Sequence, residues 1–551
     1  MKTQRTQKLM ATALAGAIAF TMAATPLAAQ DVPKSIPTPD KVASSLGTLE
    51  YKDGAPSHAT ADKVYDNLDL MHGVEAFVNA YQGASTYAIW KGFNDAGIPD
   101  NSVLIFSTLM DSKSLFLTAN ADVVYFWSNI DLTKGPMVVE TPPLSLGVMD
   151  DMWFHWVTDF GLPGPDRGEG GKYLLLPPGY KGDLPDSGYM VEKVRTTRVM
   201  ILGREFLENN DPSRPVELVK KTMKIYPYEP GGYGTSIATG LDGKVPLLRS
   251  PDGKLDWAFL RPQPPAKFVE GSGKVMNTIP PSDYSYFEMM NEVVQREPAD
   301  SLSPEILGSL AAVGIVKGKP FNPDARMKKI LTDAAAIGSA TGRTLNWRAR
   351  ASEDFAYYPG SAWINMLFVG GYQFETPPPQ VSSTGVITPY PPTGARTLDS
   401  RTAMFYYATG ITPAMCMRLT EIGSQYLGAF TDSKGEYLDG SKTYKITLPA
   451  NIPAAKFWSF TVYDNQTRSM LDTPQRFPRA GSQSYPTPAA VANPDGSTTV
   501  YFGPTKPAGV KDGNWIQTVP GKGWNTLLRF YSPLEPFFSK TWRPGEFELV
   551  K

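Results

Sequence analysis

The chain has 551 residues, 42% of them hydrophobic and 19% charged, a balance that supports a large packed core and excludes a disordered protein. Its 53 basic and 54 acidic residues give a formal charge of −1, so there is no electrostatic footprint for a nucleic acid partner. A single cysteine, Cys416, rules out an intramolecular disulfide, and three histidines without HExxH or cysteine pairs argue against a zinc site of the usual type.

The N-terminus reads as a cleavable signal peptide over residues 1–29. Lys2, Arg5 and Lys8 give a basic start, Leu9 to Ala24 is apolar and uncharged, and Leu27-Ala28-Ala29 offers small residues before Gln30. The apolar run is too broken and too short for a spanning helix, and no cysteine follows the cleavage site to carry a lipid. The expected location is therefore the periplasm or the medium, with no membrane anchor.

From Ala61 to Phe93, Val64, Leu68, Met71, Val74, Val78 and Tyr81 recur at helical spacing, predicting a long amphipathic helix. Between Ser102 and Arg204 the pattern changes to short β-branched and aromatic runs separated by Gly and Pro, among them SVLIFST, VVYFWSNIDL, PMVVETP, KYLLLPPGY and TRVMILGR. That spacing predicts an antiparallel sandwich or jelly roll. Helical signals return over 282–348, with Asp283 or Ser285, Ser303 and Asp324 as candidate caps. A proline-rich stretch from Pro377 to Pro392 reads as a loop, and strands resume from Tyr437 to Val550.

The order of ANADVVYFWSNIDLTKGPMVVETP, KYLLLPPGY and TTRVMILGR resembles the domain of unknown function 1254 of exported bacterial proteins. LDGSKTYKITLP, FWSFTVYDNQTRSML, PDGSTTVYFGP and NWIQTVPGKGWNTLLRFYSP are similar to its partner, the domain of unknown function 1214. The resemblance implies a mainly β fold of two jelly-roll-like antiparallel β-sandwiches joined by an α-helical segment. The expected domains are 61–250 with the opening helix, 283–350 as the helical segment, and 351–551. Where the first family has Asn-x-Asp-Thr-x-Tyr, this chain reads Asn120-Ala-Asp122-Val-Val-Tyr125, so Val123 replaces a hydroxyl. The resemblance implies no particular chemistry.

Direct searches for chemistry mostly eliminate classes. Gly164 to Lys172 has the wrong glycine spacing for a phosphate loop, and GSATG at Gly338 is not a nucleophile elbow. His155, between Trp153 and Trp156, reads first as a satisfied, half-buried histidine, and Cys416 as a small buried hydrophobe rather than a thiol nucleophile. What remains is a set of carboxylates, tyrosines and arginines on strands: Asp122, Tyr125, Asp131, Asp150, Asp151 and Asp159 in the first half, Tyr463, Asp464, Arg468, Arg529 and Tyr531 in the second.

Three functional readings follow. The first is a metal-independent, cofactor-free hydrolase or lyase-like enzyme of the envelope, with Asp122 as general base and Tyr125 or Arg468 steadying developing charge. Its substrate-binding candidates are Trp127, Trp153, Trp458 and Arg529. The second is a non-catalytic binding protein for a glycan or small molecule, with Trp127, Trp153, Trp156, Trp458 and Trp515 as stacking platforms. The third is an assembly protein that self-associates through sandwich edges. Against each site role stands a plain structural one: a turn aspartate at Asp122, a core tyrosine at Tyr125, an internally paired Arg529.

Overall fold

The computed structural model of the protein describes residues 33–550, apart from 186, 233–234, 236, 242, 244–247, 250, 256, 258–262, 350–354, 366, 369–370, 372–373, 375–379, 382–386 and 389–396. The expected signal peptide and most of the proline-rich stretch lie outside the described residues. Two compact units are distinguished, Met1–Asp66 and Asn67–Lys551. In the first, Lys41–Ser44, Gly47–Lys52 and Ala55–Pro56 form an antiparallel three-stranded sheet. The opening helix runs over His58–Asp95, slightly longer than its apolar periodicity.

The second unit contains both sandwiches. In the first sandwich a six-stranded sheet has the order Lys267–Glu270, Ser102–Ile105, Val123–Asp131, Arg198–Phe206, Leu146–Asp151, Trp156–Gly161. A four-stranded sheet, ordered Met190–Lys193, Lys172–Leu176, Met137–Glu140, Lys224–Pro227, packs on it. Strand alternation explains the division of labour. Val124, Phe126, Ile201, Met149 and Phe160 point between the two sheets, where they meet Val139, Tyr173 and Leu175. Val123, Tyr125, Trp127 and Met200 point the other way, into a larger core shared with helices and the second sandwich.

The second sandwich repeats this logic. Ser424–Ala429, Trp524–Pro533, Ala454–Asp464 and Arg479–Gly481 form one sheet, and Trp515–Gln517, Thr498–Gly503, Tyr444–Leu448 and Glu548–Leu549 the other. Leu427, Phe460, Val462, Leu528 and Phe530 fill the space between them with Ile446, Val500 and Phe502, while Phe457, Tyr463, Leu527 and Tyr531 face the shared core. The fold is therefore mainly β, two jelly-roll-like sandwiches joined by helices. Most pairings are antiparallel, but Lys267–Glu270, Met190–Lys193 and Trp515–Gln517 each join in parallel register.

Between the two sandwiches in chain order come the helices Ser285–Arg296, Pro304–Ala312 and Ala325–Trp347. Ser303 and Asp324 cap the second and third by accepting from Ile306 N and Met327 N. Asp283 accepts from Ser285 N just ahead of the first helix, whose N-cap position is Tyr284. Gly83 of the opening helix sits so close to the Trp153 ring that an added Cβ would lie 2.3 Å from it; only a residue without a side chain lets that indole pack there.

Candidate functional site

A cavity of about 140 Å³ lies between the outward faces of the two sandwiches. Its floor is read directly from strand register. Trp127, Leu202, Val148 and Asp159 are paired across four adjacent strands, and beside them run Tyr125, Arg204, Leu146 and Gly161. The roof comes from the second sandwich, where Tyr426 pairs with Arg529 and Gly428 with Leu527. Met110, Phe116, Ile364, Leu367, Met404 and Met415 close much of the remaining wall with apolar surface.

Two guanidiniums enter this apolar space. Arg204 Nη1 donates to Tyr426 Oη at 3.0 Å, bridging floor and roof. Arg529 Nη1 donates to Thr461 Oγ1 at 3.0 Å and Nη2 to the Thr118 carbonyl at 2.7 Å. Nε of each is buried without a hydrogen-bond partner, and no described carboxylate forms an ion pair with either. Burial opposes their charge, but the surrounding tyrosine oxygens, joined by the Asp122 carboxylate for Arg529, outweigh it, so both hold their protons more tightly than usual. Tyr426 also shares a short hydrogen bond with Ser424. Burial alone would raise its phenol; the Arg204 and Arg529 charges overcome that and bring it below the ordinary tyrosine value. Tyr125, which accepts from Asn120 Nδ2 at 2.6 Å, is instead pushed up by burial to about 12.

Asp122 stands behind this cluster rather than in the cavity lining. It precedes the strand that begins at Val123, and its carboxylate accepts from Arg479 Nε and from Ser459 Oγ, the latter at 2.7 Å. All three side chains are buried, and both partners come from the second sandwich. The turn cap belongs to Asn120, whose Oδ1 accepts from Asp122 N at 2.9 Å. The candidates thus separate. Tyr125, Trp127 and Arg529 line the cavity. Arg468 lies outside the lining set: it donates from Nε to the Tyr406 carbonyl and from Nη2 to Tyr81 Oη, and its guanidinium stacks 4.2 Å from the Tyr406 ring. Trp153 is in the helix-rich core and donates to Ser301, and Trp458 is in the core of the second sandwich. His155 Nδ1 rests 3.2 Å from Asp151. Among the described residues, no three His, Cys, Asp or Glu stand together as a ligand set.

Arg204 and Tyr426 were missed by sequence reasoning. The available signal was alternation: Arg204 follows Met200 and Leu202 at two-residue spacing, placing a charge on an apolar face.

At the opposite end of the floor, Asp159 is 6% exposed and its Oδ1 has no partner. Burial dominates its titration and raises it to about 7, against the opposing influence of Thr412, Trp156 and Arg204.

Solved structures similar in chain course include the VPA0106 protein from Vibrio parahaemolyticus, 18% identical over 88% of this chain and 100% of that one, with a TM-score of 0.47. A putative uncharacterized protein from Burkholderia cenocepacia is 12% identical over 89% and 96%, with a TM-score of 0.35. Comparison with curated proteins returns no match. Residues 101–227 match the protein of unknown function family DUF1254 and residues 423–535 match DUF1214. The chain therefore pairs a DUF1254 domain with a DUF1214 domain, and the cavity is built from strands of both.

Proposed function

We propose that the protein is exported and binds a small organic acid in the cavity between its sandwiches, with the carboxylate held by Arg204 and Arg529 and the apolar body against Leu146, Val148, Leu202 and Leu527. The carrying observation is a pair of guanidiniums, Arg529 buried and Arg204 half-buried with its Nε out of reach of water, that border a mostly apolar cavity without a carboxylate within ion-pair distance. A charge removed from water needs a counter-charge or it costs several kcal/mol. Asp122 acts on Arg529 from beyond ion-pair distance and is already engaged by Arg479, and Asp159, which lines the same cavity, forms no ion pair with Arg204. Paired N–H groups of arginine match a carboxylate in shape and charge. The cavity volume resembles that of an apolar cavity able to admit benzene, roughly 150 Å³, so the body should be about that size.

Calorimetric titration tests this with benzoate and hexanoate against benzamide and hexanamide. The acids should bind at least ~10-fold tighter, the scale of a charge-assisted hydrogen bond; equal affinities would sink the reading. Export is supported by the basic, apolar and small-residue order of the first 29 residues, and mass spectrometry should find a mature N-terminus near Gln30. Retained Met1 in exported material would refute it.

A second reading makes the same site catalytic, in the hydrolase or lyase-like class, with Tyr426 as the acid–base group. The favouring observation is its hydrogen bonding to both Ser424 and Arg204 at the cavity wall. Tyr426→Phe should then abolish turnover while leaving acid binding within ~3-fold, since only one hydroxyl is removed. Unchanged turnover in that variant would eliminate the role.

A further inference from the structure

We infer that the bound acid carries a hydroxyl across its body from the carboxylate, and that Asp159 receives it. This rests on the organic-acid reading above and adds a second, independent polar contact. Asp159 is more than nine-tenths buried, lines the cavity, and presents an Oδ1 without a hydrogen-bond partner. It belongs to the same sheet face as Arg204 but two strands away: Arg204 pairs with Leu146, and Val148 of that strand pairs with Asp159. Two strand steps span roughly 10 Å, and the side chains between are apolar. An acid with a ring or short chain bridges that gap with its two polar ends apart.

The hydroxyl follows from what faces Asp159. Arg204 lies within electrostatic reach, as do Asp150 and Cys416, and Thr412 and Trp156 favour its charged form. Burial outweighs these and holds Asp159 near the midpoint of titration at neutral pH. A hydroxyl both donates and accepts, so it satisfies the protonated acid and the carboxylate alike. An ether or ketone could only accept, and a second carboxylate would meet repulsion as Asp159 ionises.

Calorimetry on the full chain with 4-hydroxybenzoate against benzoate, and 6-hydroxyhexanoate against hexanoate, tests the assignment. At least one hydroxy acid should bind ~5-fold or more tighter than its parent, as one good hydrogen bond provides. Asp159→Asn should keep that gain, because the amide still donates, and Asp159→Leu should erase it. If the leucine variant does not fold, wild type and Asp159→Asn compared at pH 6 and pH 8 decide. Parent-acid affinity should fall with pH more steeply in wild type than in Asp159→Asn, because Asp159 adds its negative charge to those of the other buried carboxyls, Asp150 and Glu205, that both proteins keep. Equal binding of hydroxy and parent acids in both series overturns the inference while leaving the organic-acid reading standing. Failure of the parent acids to bind overturns that reading itself. Tighter binding of 6-aminohexanoate than of 6-hydroxyhexanoate also overturns the inference, because Asp159 would then serve as the anion for an ammonium group.

Discussion

Arg479 and Arg529 occupy the same sheet, are equally buried, and differ in what answers their charge. Arg479 has Asp122 in a contact that ties the second sandwich to the first. Arg529 borders the cavity and hydrogen-bonds a hydroxyl and a carbonyl, with the Tyr426 and Tyr463 rings 5.5 and 5.7 Å from its Cζ and Asp122 acting on it from beyond ion-pair distance. A paired buried charge is a fastening, because removing either partner strands the other. On the binding reading proposed above, a buried charge that borders the cavity without an ion-pair partner is the one left to meet a ligand. The same distinction separates Asp122, held in an ion pair, from Asp159, which has no ion pair and whose Oδ1 has no hydrogen-bond partner.

The sharpest way to break this comparison is to delete the paired arginine. Arg479→Met leaves Asp122 buried with only Ser459 as a partner, and should cost ~3–5 kcal/mol in denaturant unfolding. If that loss is under ~1 kcal/mol, the pair is not a fastening and Asp122 returns as a candidate base.

The next effect concerns Asp159 and pH. Its folded value near 7 lies above the ordinary 3.8 of an unfolded aspartate. Between those values the folded state keeps a proton that the unfolded chain has lost, so stability falls as pH rises from about 4 to about 7 and the loss is complete above that. The full span is on the order of 4 kcal/mol. Asp159→Asn should therefore match wild type in stability near pH 4 and exceed it increasingly towards pH 8. Glu205, raised by burial to about 8, and Asp150, raised well above the usual range by burial, act in the same direction. The variant should accordingly still lose stability with pH, on a shallower slope. A wild type that becomes more stable from pH 5 to 8 would contradict the sign.

Arg204 provides the smaller counterpart to Arg479. Arg204→Met removes a guanidinium with no carboxylate in ion-pair contact, so stability should fall by less than ~1 kcal/mol or rise as its desolvation cost is relieved, while acid binding weakens by ~1.5–3 kcal/mol, about 10- to 100-fold. A large stability loss without a change in affinity would place Arg204 among the fastenings and leave Arg529 as the cavity's remaining guanidinium for an anion.

The sequence disclosed the strands because period-two alternation and Gly or Pro boundaries are local signals: Val123–Asp131 and Arg198–Phe206 fall almost where VVYFWSNIDL and TRVMILGR place them. It could not disclose which outward face meets which. Asp122 attracted attention for its neighbour Tyr125, yet its partners are Ser459 and Arg479, more than three hundred residues away. Arg468, in the turn after a strand, gave no sign that Tyr81 of the opening helix would receive it. Nor could periodicity show that the run from Ser114 to Asn120 would supply only the two-residue strand Ser114–Leu115, with Thr118 giving its carbonyl to Arg529. Long-range pairing of polar groups is a property of tertiary packing, and a single sequence carries it only as unexplained charges on apolar faces.

The smallest expected effect tests the edge of the cavity. Cys416 ends the short helix Pro413–Cys416, is partly buried, and packs against the shared core. Burial, followed by the nearby Asp159 carboxylate, pushes its thiol well above the ordinary value, the opposite of what a thiolate nucleophile requires. Cys416→Ser exchanges a weakly polar sulfur for a smaller hydroxyl, so it should cost no more than ~1 kcal/mol of stability. Acid affinity should remain within ~2-fold, because neither guanidinium is touched. Treatment of wild type with iodoacetamide at pH 7 should likewise label Cys416 slowly, as few molecules carry the thiolate. Rapid labelling together with loss of binding would mean that the Asp159 end of the cavity is electropositive, and the separation of an anion-holding end from a hydroxyl-holding end would have to be reversed.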